Sequence, residues 1–408
     1  MKKSKTVQSL YEAMAEFSVI DAHEHLPPEE EYLQSEYSAL ILFAGYIYHD
    51  MSSVGLPQAF KETMRQGGAR PVSEWWPVIK PFWEQVKHTS FSKALTITVR
   101  DIFGVSDIND STIEEIAHAV QEANSPGLYH RILQEKCGIE TSITCIDRAA
   151  FPNDPAFRGI TQLEKCTGSP VEIKAELSAR SGRPVHTLEE AIEVGQMLLR
   201  EDIANGALGF KTTVKDHPPL SLTAARTQWE KEPKNRTANA VHGLLFDKYL
   251  DVAAEANVPV AVHTGFWGDF RELDPKHMLP WAMRRGDVNF DMFHLGMPMI
   301  RDAMVIGKTF PNVTLNLTWC PLISQVQTIR AMDEMVDLVP LTKITAFGGD
   351  YRVAVQKVYG HLCLAKEAVA FSLGKRVESG RLDEAEALRI AKLWFYDNPA
   401  RIYNLDKR

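Results

Sequence analysis

Short apolar runs rich in β-branched residues recur along the chain, and longer stretches with helical periodicity separate them. The clearest runs are SVIDAH (18–23), TSITCID (141–147), ALGFKTTV (207–214), VPVAVHTG (258–265), VNFDMFHLG (288–296), VTLNLTW (313–319) and ITAFGGD (344–350). One more strand is expected within 150–175, around RGITQLEKC (158–166). Between these runs the pattern turns helical. TLEEAIEVGQMLLREDIANG (187–206) opens on a Thr cap with an acidic first turn and closes on Asn-Gly. FDKYLDVAAEAN (246–257) and RDAMVIGKTF (301–310) follow the same logic, ending at Asn257 and before Pro311. Strand and helix in strict alternation predict parallel βαβ units.

The stretch 27–138 departs from that alternation. It carries WWPVIKPFW (75–83) and the amphipathic run STIEEIAHAVQEA (111–123), and it is far too long for a loop. A helical insertion, packed over one end of a single domain spanning 1–408, is the expectation. After 351 the chain reads as helical, with RLDEAEALRIAKLWF (381–395) the strongest case, and the tail DNPARIYNL (397–405) is expected to close the fold.

Polar residues sit where such strands end. His23 and His25 end the first strand, Lys211 lies near the end of the fourth, His263 ends the fifth, His294 the sixth and Asp350 the eighth. In a (β/α)8 TIM barrel all these C-terminal ends meet on one face, where active sites lie. That is the predicted α/β fold. His-x-His on a strand aims both imidazoles to the same side, because side chains alternate. Two neutral imidazoles with a carboxylate suit one divalent ion, zinc first, with manganese, iron or nickel as alternatives. Such an ion lowers the pKa of its bound water to about 7 and yields a nucleophile at neutral pH.

Composition narrows the function. Hydrophobic residues make up 45% and charged residues 24%, as in an ordinary globular chain, and the formal net charge of −8 argues against a nucleic-acid or acidic-membrane partner. The five cysteines, at 137, 145, 166, 320 and 363, form no CxxC, so no disulfide framework is expected. The amphipathic start MKKSKTVQSLYEAMAEF lacks the apolar run of a signal peptide, and no segment approaches the ~18 apolar residues of a membrane span. The expectation is a cytoplasmic enzyme with a small-molecule substrate, homo-oligomeric like many soluble enzymes.

VIDAHEH, PVAVHTG, MFHLGMP with PNVTLNLT, FGGDY and NPARIYNL resemble the amidohydrolase superfamily, and most of all its amidohydrolase-2 branch of hydrolases and decarboxylases. The resemblance implies one metal held by His23, His25, His263 and Asp350, with His294 polarising the substrate or moving a proton. HEHLPPEEEY, the Trp-rich block, RDIFGVSDIND and the Asp-x-Arg pair Asp350 and Arg352 resemble uronate isomerase of the same superfamily. There the resemblance gives Arg352 the task of holding a sugar acid. Lys211 is expected to pair with an acid or with a substrate carboxylate. The alternative is a carbamylated lysine bridging a second metal, which His263 and His294 would then hold.

The leading expectation is hydrolysis of a small, carboxylated polar substrate, with Asp350 as the proton acceptor and Arg352 and Lys211 as carboxylate anchors. Isomerisation of a sugar acid and non-oxidative decarboxylation are the alternatives. Trp75, Trp76, Trp83 and Cys320 are read as packing, His277 as a surface loop residue, and Arg284 and Arg285 as either surface or anion-facing.

Overall fold

The structure, a computed structural model, describes residues 2–146, 156–163, 168–231 and 239–405. Eight strands form one sheet whose spatial order follows the sequence: β1 (Val19–Glu24), β2 (Ile139–Ile146), β3 (Phe157–Gln162), β4 (Phe210–Thr213), β5 (Val260–His263), β6 (Phe290–Phe293), β7 (Val313–Asn316) and β8 (Ile344–Thr345). Every pairing from β3 to β8 is parallel, and helices connect the successive strands from β3 onward. This is the predicted (β/α)8 arrangement, and the third strand lies where it was sought. Residues 164–166 of that expected run fall outside the described residues.

The chain forms two compact units. The first comprises Met1–Ser142, Leu317–Asp337 and Ala346–Asp397. Its β1 is buried along its whole length. On one side, the Val19 N–H donates to the Gly138 carbonyl (2.9 Å). On the other, β1 runs against the segment that follows β8. The Ala22 N–H donates to Phe347 (3.2 Å), the Asp350 N–H to His23 (2.8 Å) and the His25 N–H to Tyr351 (3.0 Å).

The stretch 27–138 is helical, with Tyr46–Ser53, Val72–Val86, Ser90–Phe103 and Ile113–Ala123 as its main elements. Val72–Val86 tolerates Pro77 and Pro81 because one face buries Trp75, Trp76, Ile79 and Trp83, and tertiary packing overrides the local cost of proline. The Trp83 indole N–H donates to the Ile108 carbonyl at 3.2 Å. The tryptophans are therefore packing residues, as read from the sequence. Helix Gln356–Glu378 lies against Ser90–Phe103 so closely that a Cβ on Gly360 would sit 1.9 Å from the Ala94 carbonyl oxygen. Only glycine permits that approach.

The second unit comprises Ile143–Asn316, Leu338–Thr345 and Asn398–Arg408. Its strands β4 to β7 run in a shared register, Phe210, Val260, Phe290 and Val313 forming one row and Thr213, His263, Phe293 and Asn316 another. Helix Leu188–Ala204 starts at the predicted Thr187, which forms a reciprocal capping box with Glu190. The tail closes this unit. The Asn398 amide donates to the Leu341 and Ile344 carbonyls (2.9 and 2.6 Å), and the Tyr403 hydroxyl donates to buried Asp291 (2.9 Å).

Cys137, Cys320 and Cys363 are free thiols, and Cys166 lies outside the described residues. Among the described residues no helix is long and apolar enough to cross a membrane.

Candidate metal centre

β1 delivers both histidines to one point. The His23 and His25 Nε2 atoms lie 3.0 Å apart, with rings at 83° to one another. Asp350 Oδ1 stands 3.3 Å from His25 Nε2 and 3.6 Å from His23 Nε2. Ligand atoms about 2.0–2.1 Å from a tetrahedral ion are roughly 3.3–3.5 Å from each other, which matches this triangle. Two imidazole nitrogens and one carboxylate oxygen fit a divalent ion of the zinc, manganese, iron or nickel type. His23 is buried, while His25 and Asp350 keep some solvent access, so the group is reachable from one side.

The backbone around Asp350 is held in a conformation it would not choose. Its φ is 59°, in the left-handed region. Its N–H donates to the His23 carbonyl, and its own carbonyl accepts from the Tyr46 hydroxyl. Tyr46 comes from the helical stretch after β1 and packs among Phe91, Trp319 and Tyr351. Surroundings that fix both sides of the residue are what keeps a strained φ in place. Gly348 and Gly349 are forced by the same crowding. A Cβ on Gly348 would meet Thr318 Oγ1 at 2.0 Å, and one on Gly349 would meet Glu24 Oε1 at 1.8 Å.

Two acids of β1 support this turn from within the core. Asp21 Oδ1 accepts from the Gly349 N–H (3.0 Å) and the His23 N–H (3.3 Å), and Oδ2 accepts from the Ser142 hydroxyl (3.3 Å). Glu24 Oε2 accepts from the Tyr351 N–H at 2.7 Å. Burial pushes the Asp21 carboxyl up to about 6. Burial and the neighbouring Asp21 charge push Glu24 well above the ordinary carboxylate range. On the outer side of the turn, His361 is fully buried against Phe347 and Tyr351. Burial lowers its pKa to about 3, so it is neutral. Lys357, also buried, donates to the Ala44 carbonyl at 2.8 Å, and burial lowers it to about 7. Arg352 is exposed and forms no ion pair among the described residues.

The second unit holds the other expected residues. His263 ends β5, and His294 follows β6 with a φ of 62°. Their Nδ1 and Nε2 atoms are 3.0 Å apart, a hydrogen-bonded pair. Lys211 is the second residue of β4, buried, with its ammonium 5.1 Å from the centre of the Phe293 ring. Gly265, two residues beyond His263, has a φ of 81°, and a Cβ there would strike the Met297 carbonyl at 2.3 Å. Arg285 is buried and bound to Asp287, Asp251 and Asp247, which makes it structural.

Sequence reasoning missed Asp21, Glu24 and Tyr46. The first two had a signal: acids inside an apolar strand flanking a histidine. Tyr46 had none, since its partner lies 304 residues away.

No family model matches the chain, and no curated protein matches it. Solved structures do. A uronate isomerase from Thermotoga maritima matches with a TM-score of 0.80 at 14% identity, covering 98% of each chain. A glucuronate isomerase from Caulobacter crescentus matches with a TM-score of 0.80 at 14% identity, covering 100% of this chain and 96% of that one. A Lactobacillus casei protein provisionally described as a metal-dependent hydrolase matches at 0.63 and 16% identity, covering 98% of each chain. At such identities these likenesses show the shared fold.

Proposed function

We propose that the chain is a metal-dependent enzyme acting on a small carboxylated substrate, and that its reaction is the aldose–ketose isomerisation of a sugar acid. The observation that carries the metal is the convergence of two Nε2 atoms and a carboxylate oxygen within 4.8 Å of one another. The choice of isomerisation over the hydrolysis first expected is supported by the end-to-end likeness to two sugar-acid isomerases.

A divalent ion held by His23, His25 and Asp350, zinc first among the candidates, supplies Lewis acidity toward a substrate oxygen or a bound water. The rest of the chemistry belongs to side chains. Arg352 presents an unpaired guanidinium fork that matches a substrate carboxylate. The second oxygen of Asp350 accepts and returns a proton. His294, hydrogen-bonded to His263, shares one proton along that contact and is the second carrier. In an isomerisation one proton passes between adjacent carbons and another between their oxygens, so mass is conserved.

Metal-assisted hydrolysis of a lactone, ester or amide is the second reading. The strand motifs around His263 and His294 favour it, as does the likeness to the L. casei protein. The experiment is metal analysis followed by mass spectrometry of products from sugar acids, lactones and aromatic acids. Unchanged product mass supports isomerisation. A gain of water establishes hydrolysis, and loss of carbon dioxide establishes decarboxylation. Metal-free protein that fails to take up zinc or manganese sinks both readings. Metal content of His263→Ala beside His23→Ala decides whether His263 is a ligand, as the sequence resemblance implies.

A further inference from the structure

In the second unit, a cavity of about 630 Å³ opens at the N-terminal ends of β5 to β8, a strand's length from His263 and His294. That volume is in the range of small-metabolite sites. Three cations line it: Lys308 at the end of helix Ile300–Thr309, Lys343 before β8, and Arg401 on the closing helix Asn398–Ile402. No Asp or Glu lines it, and the remaining polar lining is asparagine and threonine.

The charge balance there is unlike the rest of the chain, which has 53 acidic residues against 45 basic ones. Arg200, Arg376 and Arg389 each meet a carboxylate within 3.0 Å. Among the described residues Lys308, Lys343 and Arg401 meet none. Lys343 donates to the Gly307 and Phe310 carbonyls, and Arg401 donates to the Thr342 carbonyl. These bonds fix the two cations in place without neutralising them. Lys308 is exposed and has no such tether. Two positioned charges and one exposed one, around a concavity with no competing acid, form a receptor for multiple negative charge.

We infer that this cavity binds a small multivalent anion, a phosphate ester or a di- or tricarboxylate, at a site separate from the metal-binding residues. Asn289 also lies on its wall, and the Asn404 amide there donates to the Asn257 carbonyl at 3.1 Å. The inference does not depend on the proposed reaction, because binding is read directly.

The test is calorimetric titration of the metal-loaded wild-type protein with inorganic pyrophosphate and, separately, with citrate, at low and high ionic strength. Saturable binding that weakens with salt is expected. The Lys308→Gln/Arg401→Gln variant should bind at least about tenfold more weakly, the loss expected for removing charge-assisted contacts. Its metal content and thermal midpoint should stay at wild-type values. Pyrophosphate alone binding assigns a phosphate site, and citrate alone a carboxylate site. Absence of saturable binding by either anion, or equal binding by the folded variant, overturns the inference.

Discussion

Gly349→Ala is the substitution on which the account of the metal centre can fail most clearly. Its Cβ would lie 1.8 Å from Glu24 Oε1 and 2.7 Å from Glu24 Cδ, about 1.2 Å short of the 3.0 Å that real Cβ contacts respect. Glu24 has no easy retreat, since it is fully buried and holds the Tyr351 N–H at 2.7 Å. If the carboxyl yields, a buried N–H loses its partner, at about 1–3 kcal/mol. If the turn yields instead, overpacking costs about 1–3 kcal/mol. Asp350 Oδ1 then leaves the 3.3 Å and 3.6 Å contacts it makes with the histidines. The expected loss by either route is about 1–3 kcal/mol in urea unfolding, with zinc affinity reduced at least about tenfold in competition titrations. Glu24→Ala removes the obstacle. On that background the same glycine substitution should cost under about 1 kcal/mol, the non-additivity expected of two groups in contact. A Gly349→Ala protein with wild-type unfolding and zinc affinity refutes the reasoning, and so does an equal cost in both backgrounds.

Three further outcomes follow from the same residues. Asp350→Asn keeps the shape but removes the negative charge, so metal content on purification should fall, with affinity lower by at least about tenfold. Tyr46→Phe removes the hydroxyl that holds the Asp350 carbonyl. It should cost about 1 kcal/mol of stability and weaken zinc binding, both read in one denaturation series with and without metal. His361 is neutral in the folded chain, with its pKa lowered to about 3 from an ordinary 6.5. The unfolded chain takes up that proton first, so this contribution is present above pH 6.5 and is lost as pH falls toward 3. The loss is about 1.4 kcal/mol per pH unit at most. His361→Leu should therefore flatten the acid limb of stability against pH, and an unchanged slope would refute the assignment.

The parts of this molecule that were legible in the sequence are those with a local physical signature. Thr187 and Glu190 announce a helix start because capping is settled within four residues. The pair His23 and His25 could be placed on one side of a strand because alternation is a property of the backbone itself. What stayed hidden depends on contacts between distant segments. β8 is only Ile344–Thr345, yet the apolar run ITAFGGD continues to Asp350. Beyond Thr345 the chain leaves regular strand geometry but still pairs with β1, through the Phe347 and Tyr351 carbonyls and the Asp350 N–H. A hydrophobicity pattern cannot separate such pairing from a strand.

Glu24 shows why buried charge is a sharper guide to a site than its ligands alone. Read as one letter in VIDAHEH, it is an acid in a strand with no assigned task. In the fold it is a buried carboxyl that fills the space a Cβ on Gly349 would need, holds the Tyr351 N–H, and backs onto Asp21. Asp21 in turn receives the His23 and Gly349 N–H groups. The two acids thus tie the strand that carries the histidines to the turn that carries Asp350. Burying two carboxyls costs free energy that an apolar pair would not, and the return is a fixed spacing between ligand-bearing segments. Replacing both, as Asp21→Val/Glu24→Leu, separates the two contributions. Such a protein should lose resistance to urea, since the His23, Gly349 and Tyr351 N–H groups lose buried partners at about 1–3 kcal/mol each, and should lose zinc affinity as well, since positioning does not survive. A variant that unfolds more easily yet binds zinc as tightly as wild type would show that the acids serve the core and not the metal.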